Sequence, residues 1–414
     1  MQLAIALSLR TVAWPEVTTP GYLWSRGWLL YRNIKFQHTP ATMGTLALGF
    51  AAFGPKTWFL RAYATVWPLI AHVSLLKDTR RARTGIRALA SAFFLVFLFG
   101  FEGNAIWPTV VMTALAIPIA AALSRKQMAR AGLLIGIAIL FKQTAAFVLF
   151  LATLALVARR RWREAIRLFL AGSFPYVLTV AIFAAFGAGL DILRWTILVP
   201  LTVRPANVNM FYPGFSKVLD LVLAFTPLAI EAILERPGER TISAQWLLLV
   251  AAGLAAIVYP DFTLFNAVAC VPCLAVGAAR LMERRPRWLS RVAIAFVATL
   301  TLSRGAMVVA GADFDGRVLF WNDEPAFNAL IDRLRRLPPD TRVYSSLWGN
   351  VNPRAERLPP GDVYVHPWFD WFSRVDDTGE RIRRANARPG VVIVGMRGAS
   401  PSAEAVGPYS IEHR

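Results

Sequence analysis

The chain has 414 residues, 56% of them hydrophobic and only 17% charged, whereas soluble globular proteins carry about 25% charged residues. Its formal charge is +20, yet residues 311–414 hold fourteen Lys and Arg against fourteen Asp and Glu, so the whole excess lies in the apolar remainder. Together these features exclude an ordinary soluble globular protein and a nucleic-acid binder, which would gather its bases with aromatics on a soluble face.

The first apolar block, Met1–Trp14, lacks the basic n-region and A-x-A site of a cleavable leader. It is interrupted by Arg10 and is shorter than the about twenty residues a crossing helix needs. Either helix 1 is short with Arg10 snorkelling outward, or the chain begins downstream of its natural start. A polar stretch follows (Pro15–Pro40), then a semi-apolar one (Ala41–Gly54) and a span near Trp58–Leu76. Further spans are expected near Ala88–Phe101, Ile106–Leu123, Leu168–Phe186, Val218–Leu234, Ser243–Val258, Phe262–Ala279 and Val292–Ala310. The block Ala131–Val157 has basic clusters at both ends, so it must enter and return as two short helices joined near Phe141–Thr144. That turn sets Lys142 and Gln143 at depth or near the far surface, where irregular backbone survives only inside protein or beside a cavity.

The basic clusters Lys77–Arg87, Arg125/Lys126/Arg130, Arg159–Arg167, Arg236/Arg240 and Arg280–Arg291 occupy alternate loops. Cytoplasmic loops collect Lys and Arg, so the pattern predicts about eleven crossings with the N-terminus inside. Pro15–Pro40, the loop Gly187–Ser216 and everything after Ala310 then lie outside. The expected fold is an all-α polytopic membrane domain over residues 1–310, followed by a small extracytoplasmic α/β domain over 311–414. In that tail Pro325–Leu337 has helical spacing with Asn322 and Asp323 as caps, and Thr341–Ser345, Asp362–Val365 and Val391–Val394 read as strands. It has no Gly-rich phosphate loop and reads as accessory. Cys270 and Cys273 form a C-x-x-C inside the apolar run AVACVPCLAV, which suits helix packing better than redox or zinc chemistry.

An ionisable group at a membrane boundary is a functional candidate. Glu16 directly follows the first apolar block on the outer side and could serve as general base towards an acceptor hydroxyl or amine, or be a solvated loop acid. Glu102 and Asp261 sit in outer loops free of basic residues; they could orient an acceptor or supply oxygens to a divalent metal. Lys142 and Arg304 are cations where none is needed for topology. They could neutralise a lipid phosphate leaving group, or snorkel to the outer head groups. His38 and Gln143 complete the set as polar residues able to bind substrate, although a lone loop histidine is more often structural. Outer aromatics, among them Trp14, Tyr22, Trp24, Trp28, Tyr31, Trp195, Phe211 and Tyr212, fit a sugar or prenyl chain, but an interface belt uses the same residues.

The run Glu16, Tyr22, Gly27, Leu30-Tyr31-Arg32-Asn33 and His38-Thr39-Pro40, followed by Leu48 and Phe53-Gly54-Pro55, resembles the first extracytoplasmic loop of GT-C glycosyltransferases. It is similar to bacterial relatives of the dolichyl-phosphate-mannose protein mannosyltransferases and the lipid A aminoarabinose transferases. Gly132, Gly136-Ile137-Ala138 and Lys142-Gln143 resemble their glycine–alanine–lysine segment; Tyr259-Pro260-Asp261-Phe262 resembles their aromatic-proline outer turn. The resemblance implies an enzyme of the bacterial cytoplasmic membrane that moves a sugar from a polyprenyl-phosphate carrier to a glycan, lipid or protein acceptor outside, by inverting displacement. It implies that Glu16 is the base and that Lys142 neighbours the lipid phosphate. Two positions depart from the pattern: Glu16 stands alone before Val17, and Asn33 replaces the acid of a Tyr-Arg-Asp motif. The residues leave two other classes open, a transporter or lipid flippase and a catalytically weakened GT-C-like scaffold. A flippase favours internal repeats and polar groups at mid-bilayer, whereas here the polar candidates gather at outer ends and no inverted repeat is visible.

Overall fold

A computed structural model of the protein describes residues 2–202, 215–235, 242–256, 264–284, 287–321, 324–366, 377–397 and 403–414. The expected outer turn with Asp261 lies outside them, as do Asn322 and Asp323. The described chain forms two compact units. One comprises Met1–Leu9, Ala64–Thr179 and Asn209–Phe314; the other comprises Arg10–Tyr63, Val180–Val208 and Asp315–Arg414.

Among the described residues four helices are long and apolar enough to cross a bilayer: Thr57–Asp78, Trp162–Ala185, Leu264–Glu283 and Arg287–Gly311. Each coincides with an expected span. Shorter apolar helices run Ala41–Phe53, Thr84–Gly100, Pro108–Ser124, Met128–Phe141, Gln143–Ala158 and Ala244–Ala255. The long helices differ in role. Only 17% of the apolar window of Trp162–Ala185 is buried within the protein, against 89% for Leu264–Glu283. The first therefore offers its apolar side chains to lipid, while the second is wrapped by other helices.

Small residues let the first unit pack closely. A Cβ on Gly132 would lie 2.5 Å from the Leu168 carbonyl oxygen, and one on Gly136 would lie 2.5 Å from that of Gly172. The spacing of four residues thus puts two glycines of helix Met128–Phe141 against helix Trp162–Ala185, the small-xxx-small device of membrane bundles. Buried ion pairs hold other helices. Arg280 donates to Asp78 at 2.9 Å, and Arg284 Nε donates to Glu231 at 2.6 Å. Cys270 and Cys273 are buried free thiols, as packing residues of a helix should be.

In the second unit helix Pro15–Ser25 packs on helix Ala41–Phe53, so closely that a Cβ on Gly21 would sit 2.8 Å from Leu46 Cβ. Helix 1 proper is only Gln2–Ser8. The chain then becomes extended as β1 (Thr11–Val12), which pairs in parallel with β2 (Val318–Leu319). Arg10 is not snorkelling alone: it forms an ion pair with Asp315.

The tail carries β3 (Arg342–Ser345), β4 (Val391–Met396), β5 (Glu404–Val406) and β6 (Tyr409–His413) in the order β3-β4-β6-β5. The β3/β4 pair is parallel and the other two are antiparallel. Phe327, Leu330, Ile331 and Leu334 of helix Pro325–Arg335 cover Val343, Val392, Val394 and Ile411. Glu324 takes that helix's N-cap position and makes no side-chain capping bond. The expected strand Asp362–Val365 does not join this sheet. Its Tyr364 instead exchanges backbone bonds with Asn33 and Lys35, at 2.7 and 2.9 Å.

Candidate active site

Glu16 occupies the first turn of helix Pro15–Ser25, where Pro15 is pre-set for helical φ and Trp14 is the N-cap. It is not a solvated loop acid, since only 6% of it is exposed. Its Oε2 accepts a hydrogen bond of 3.4 Å from the Trp348 indole N–H. Burial pushes the carboxyl up to about 7, against the opposing pull of its backbone N–H and the Trp348 indole. Near neutral pH the acid and its carboxylate therefore coexist, which is the condition for a proton acceptor that must reset each cycle.

Three rings stand beside it. Trp14 and Trp348 stack at 5.6 Å, Trp348 and Phe320 lie 4.8 Å apart, and Trp14 and Phe320 5.5 Å apart. The buried Asn350 fixes the backbone on which they sit. Its amide donates to the carbonyls of Ala13 and Phe320, both at 2.9 Å, and its oxygen accepts from the Thr18 hydroxyl. Phe320 is held at a φ of 62°, a left-handed conformation that a bulky side chain resists. Trp348 and Asn350 escaped sequence reasoning, because nothing local marks residues of the tail as neighbours of Glu16.

The Tyr31-Arg32-Asn33 segment proves to be a turn built from its own side chains. Tyr31 is buried with a φ of 69°, and its hydroxyl donates to the His38 carbonyl at 2.8 Å. Asn33 accepts from the Leu29 N–H at 3.0 Å and donates to the Asp362 carbonyl at 2.9 Å. An ionised aspartate could accept but not donate, so the amide suits this joint better than the acid of the related motif. His38 is buried, with its ring edge-on to Phe36 at 5.2 Å.

In the other unit the chain leaves helix Met128–Phe141 at Lys142, whose backbone is extended, and resumes through a single 3-10 turn at Gln143–Ala145. The expected helix–turn–helix is therefore present. Lys142 is buried; its Nζ donates to Asn266 Oδ1 at 2.6 Å and lies 5.5 Å from the centre of the Trp107 ring. Trp107 Nε1 reaches the same Asn266 oxygen at 3.4 Å. Asn266 and Trp107 are the neighbours that sequence reading missed. Gln143 is half-buried beside this group. Glu102 is exposed in the turn after helix Thr84–Gly100, with a φ of 56°. Arg304 is ion-paired with Asp220, so its charge already has a counterion. Glu16 and His38 thus belong to one unit, and Glu102, Lys142, Gln143 and Arg304 to the other. Among the described residues no three His, Cys, Asp or Glu side chains gather as metal ligands.

No protein-family profile and no curated protein sequence matches the chain. Solved structures do. ArnT from Cupriavidus metallidurans bound to undecaprenyl phosphate superposes with a TM-score of 0.64 at 12% identity, over 99% of this chain and 95% of that one. The apo state of ArnT from the same organism gives a TM-score of 0.58 at 14% identity, with the same coverage. The chain therefore shares the fold of ArnT, as the resemblance led one to expect.

Proposed function

We propose that this protein is an integral membrane glycosyltransferase of the bacterial cytoplasmic membrane, moving a sugar from a polyprenyl-phosphate carrier to an acceptor on the extracytoplasmic face. The observation that carries the reading is Glu16, a buried carboxyl set to ionise near neutrality in a segment that the charge pattern assigns to the outside. Support for the donor comes from the shared fold with an ArnT crystallised with undecaprenyl phosphate.

In this reading the Glu16 carboxylate takes the proton of the acceptor hydroxyl or amine as that atom attacks the anomeric carbon. The bond between that carbon and the phosphate oxygen breaks, and polyprenyl phosphate departs with the electron pair, inverting the centre. Lys142 neutralises the leaving phosphate. Arg304, ion-paired with Asp220, is the second candidate for that task. His38, Glu102, Gln143 and Asp261 are left to bind substrate, and the tail is extracytoplasmic.

The test incubates the purified full-length protein with labelled polyprenyl-phosphate sugars. Turnover should rise with pH through about 7, as Glu16 loses its proton. Glu16→Gln should lower it by roughly 10²–10⁴-fold while the protein still inserts. Undiminished turnover in that variant would remove the base. Movement of the lipid between leaflets without transfer would make the protein a flippase, and neither activity would leave a scaffold.

A further inference from the structure

The three-ring cluster beside Glu16 has no part in the chemistry just described, yet it is held with unusual care. Trp348 is 40% exposed and Trp14 and Phe320 are half-buried, so the cluster reaches the surface. Asn350, itself fully buried, spends its hydrogen bonds on the backbone that carries Trp14 and Phe320, and Phe320 keeps a left-handed backbone there. Groups locked in this way by neighbours with no exposed surface of their own are how binding sites are pre-organised.

An interface belt is the ordinary use of exposed tryptophans, and there the polar edge of the ring faces water or head groups. Here the indole N–H of the most exposed ring is turned instead to a buried carboxyl. A lipid chain on these rings would lie against that acid and gain nothing from it. A pyranose suits both: its C–H face packs on aromatic faces, and its rim hydroxyls hydrogen-bond a carboxylate.

We infer that Trp14, Phe320 and Trp348 form a platform for a sugar ring of the acceptor, with Trp348 supplied by the C-terminal segment. The acceptor is then a saccharide or the sugar portion of a glycolipid, and the tail is part of the substrate site. This rests on the proposed role of Glu16 only for the direction in which the acceptor's hydroxyl points.

Saturation-transfer NMR on the full-length protein in detergent tests it, with methyl pyranosides and disaccharides of neutral and amino sugars as probes. Irradiating aromatic protons should transfer magnetisation to the ring C–H protons of at least one probe. Trp348→Ala should weaken that binding roughly fivefold, while Trp348→Phe, which keeps a ring and the packing around it, should largely preserve it. Equal transfer in Trp348→Ala, no transfer to any pyranoside, or transfer confined to detergent alkyl protons would each overturn the platform. Glu16→Gln separates the two ideas. If it abolishes glycosyl transfer while no sugar reports on Trp348, the base survives and the platform fails. If it stays active while sugar still binds through Trp348, the platform survives and the base fails.

Discussion

Glu16, in one unit, is buried, and the hydrogen bond described for its carboxyl comes from a neutral group, the Trp348 indole. Arg280, Arg284 and Arg304 are also largely buried, but each is bonded to a carboxylate, of Asp78, Glu231 and Asp220 respectively. The difference separates holding from reacting. An opposite charge within hydrogen-bond reach satisfies a buried ion and ties two helices together. A neutral dipole orients a buried carboxyl while leaving its proton exchangeable.

Substitutions on the two sides of this contrast should fail in different ways. The largest effect on the holding side is Asp78→Ala, which strands Arg280 and should cost about 3–5 kcal/mol of stability; adding Arg280→Met should restore much of it. Thermal unfolding in detergent reads both, and a mild single variant would mean the pair holds nothing. Lys142→Met tests the proposed phosphate contact and should lower transfer by about 10²–10³-fold. Normal specific activity in that variant would remove Lys142 from the phosphate site.

Glu16 sharpens the contrast through pH. Its carboxyl is raised from 4.5 to about 7 in the folded protein, so the contribution is fully present below 4.5 and is lost as pH rises through about 7. Glu16→Gln should therefore be more stable than the parent at pH 8, by at most about 3 kcal/mol, with the gap closing by pH 4.5. Parallel stability profiles for the two proteins would show that the acid is not desolvated. The smallest effect is Asn33→Asp, which loses the donor to the Asp362 carbonyl and should cost about 1–2 kcal/mol. An unchanged unfolding temperature there would reopen the acid of the related motif as an equal alternative.

How legible was all this in the amino-acid order? The apolar helices were, because hydropathy and loop charge are local. Trp58–Leu76 became Thr57–Asp78, and the interrupted block became Met128–Phe141 and Gln143–Ala158 around Lys142. Glu16 was legible as a candidate by its position directly after an apolar block. Its partner Trp348 was not, since 332 residues separate them. The strand expected at Asp362–Val365 failed for a related reason: its backbone partners, Asn33 and Lys35, come from the far end of the chain. Asn33 itself looked like a defect until its two bonds showed a donor in use.

Read alone, the sequence determined which stretches are apolar, which loops gather the arginines, and that an acid directly follows the first apolar block. Those properties are sums over neighbouring residues. Tertiary structure decided that the acid is buried, that a tail tryptophan bonds it, and that Arg304 has a counterion. Burial and partnership depend on what distant segments bring alongside, and the Glu16 carboxyl holds its proton up to about 7 only because they remove its water.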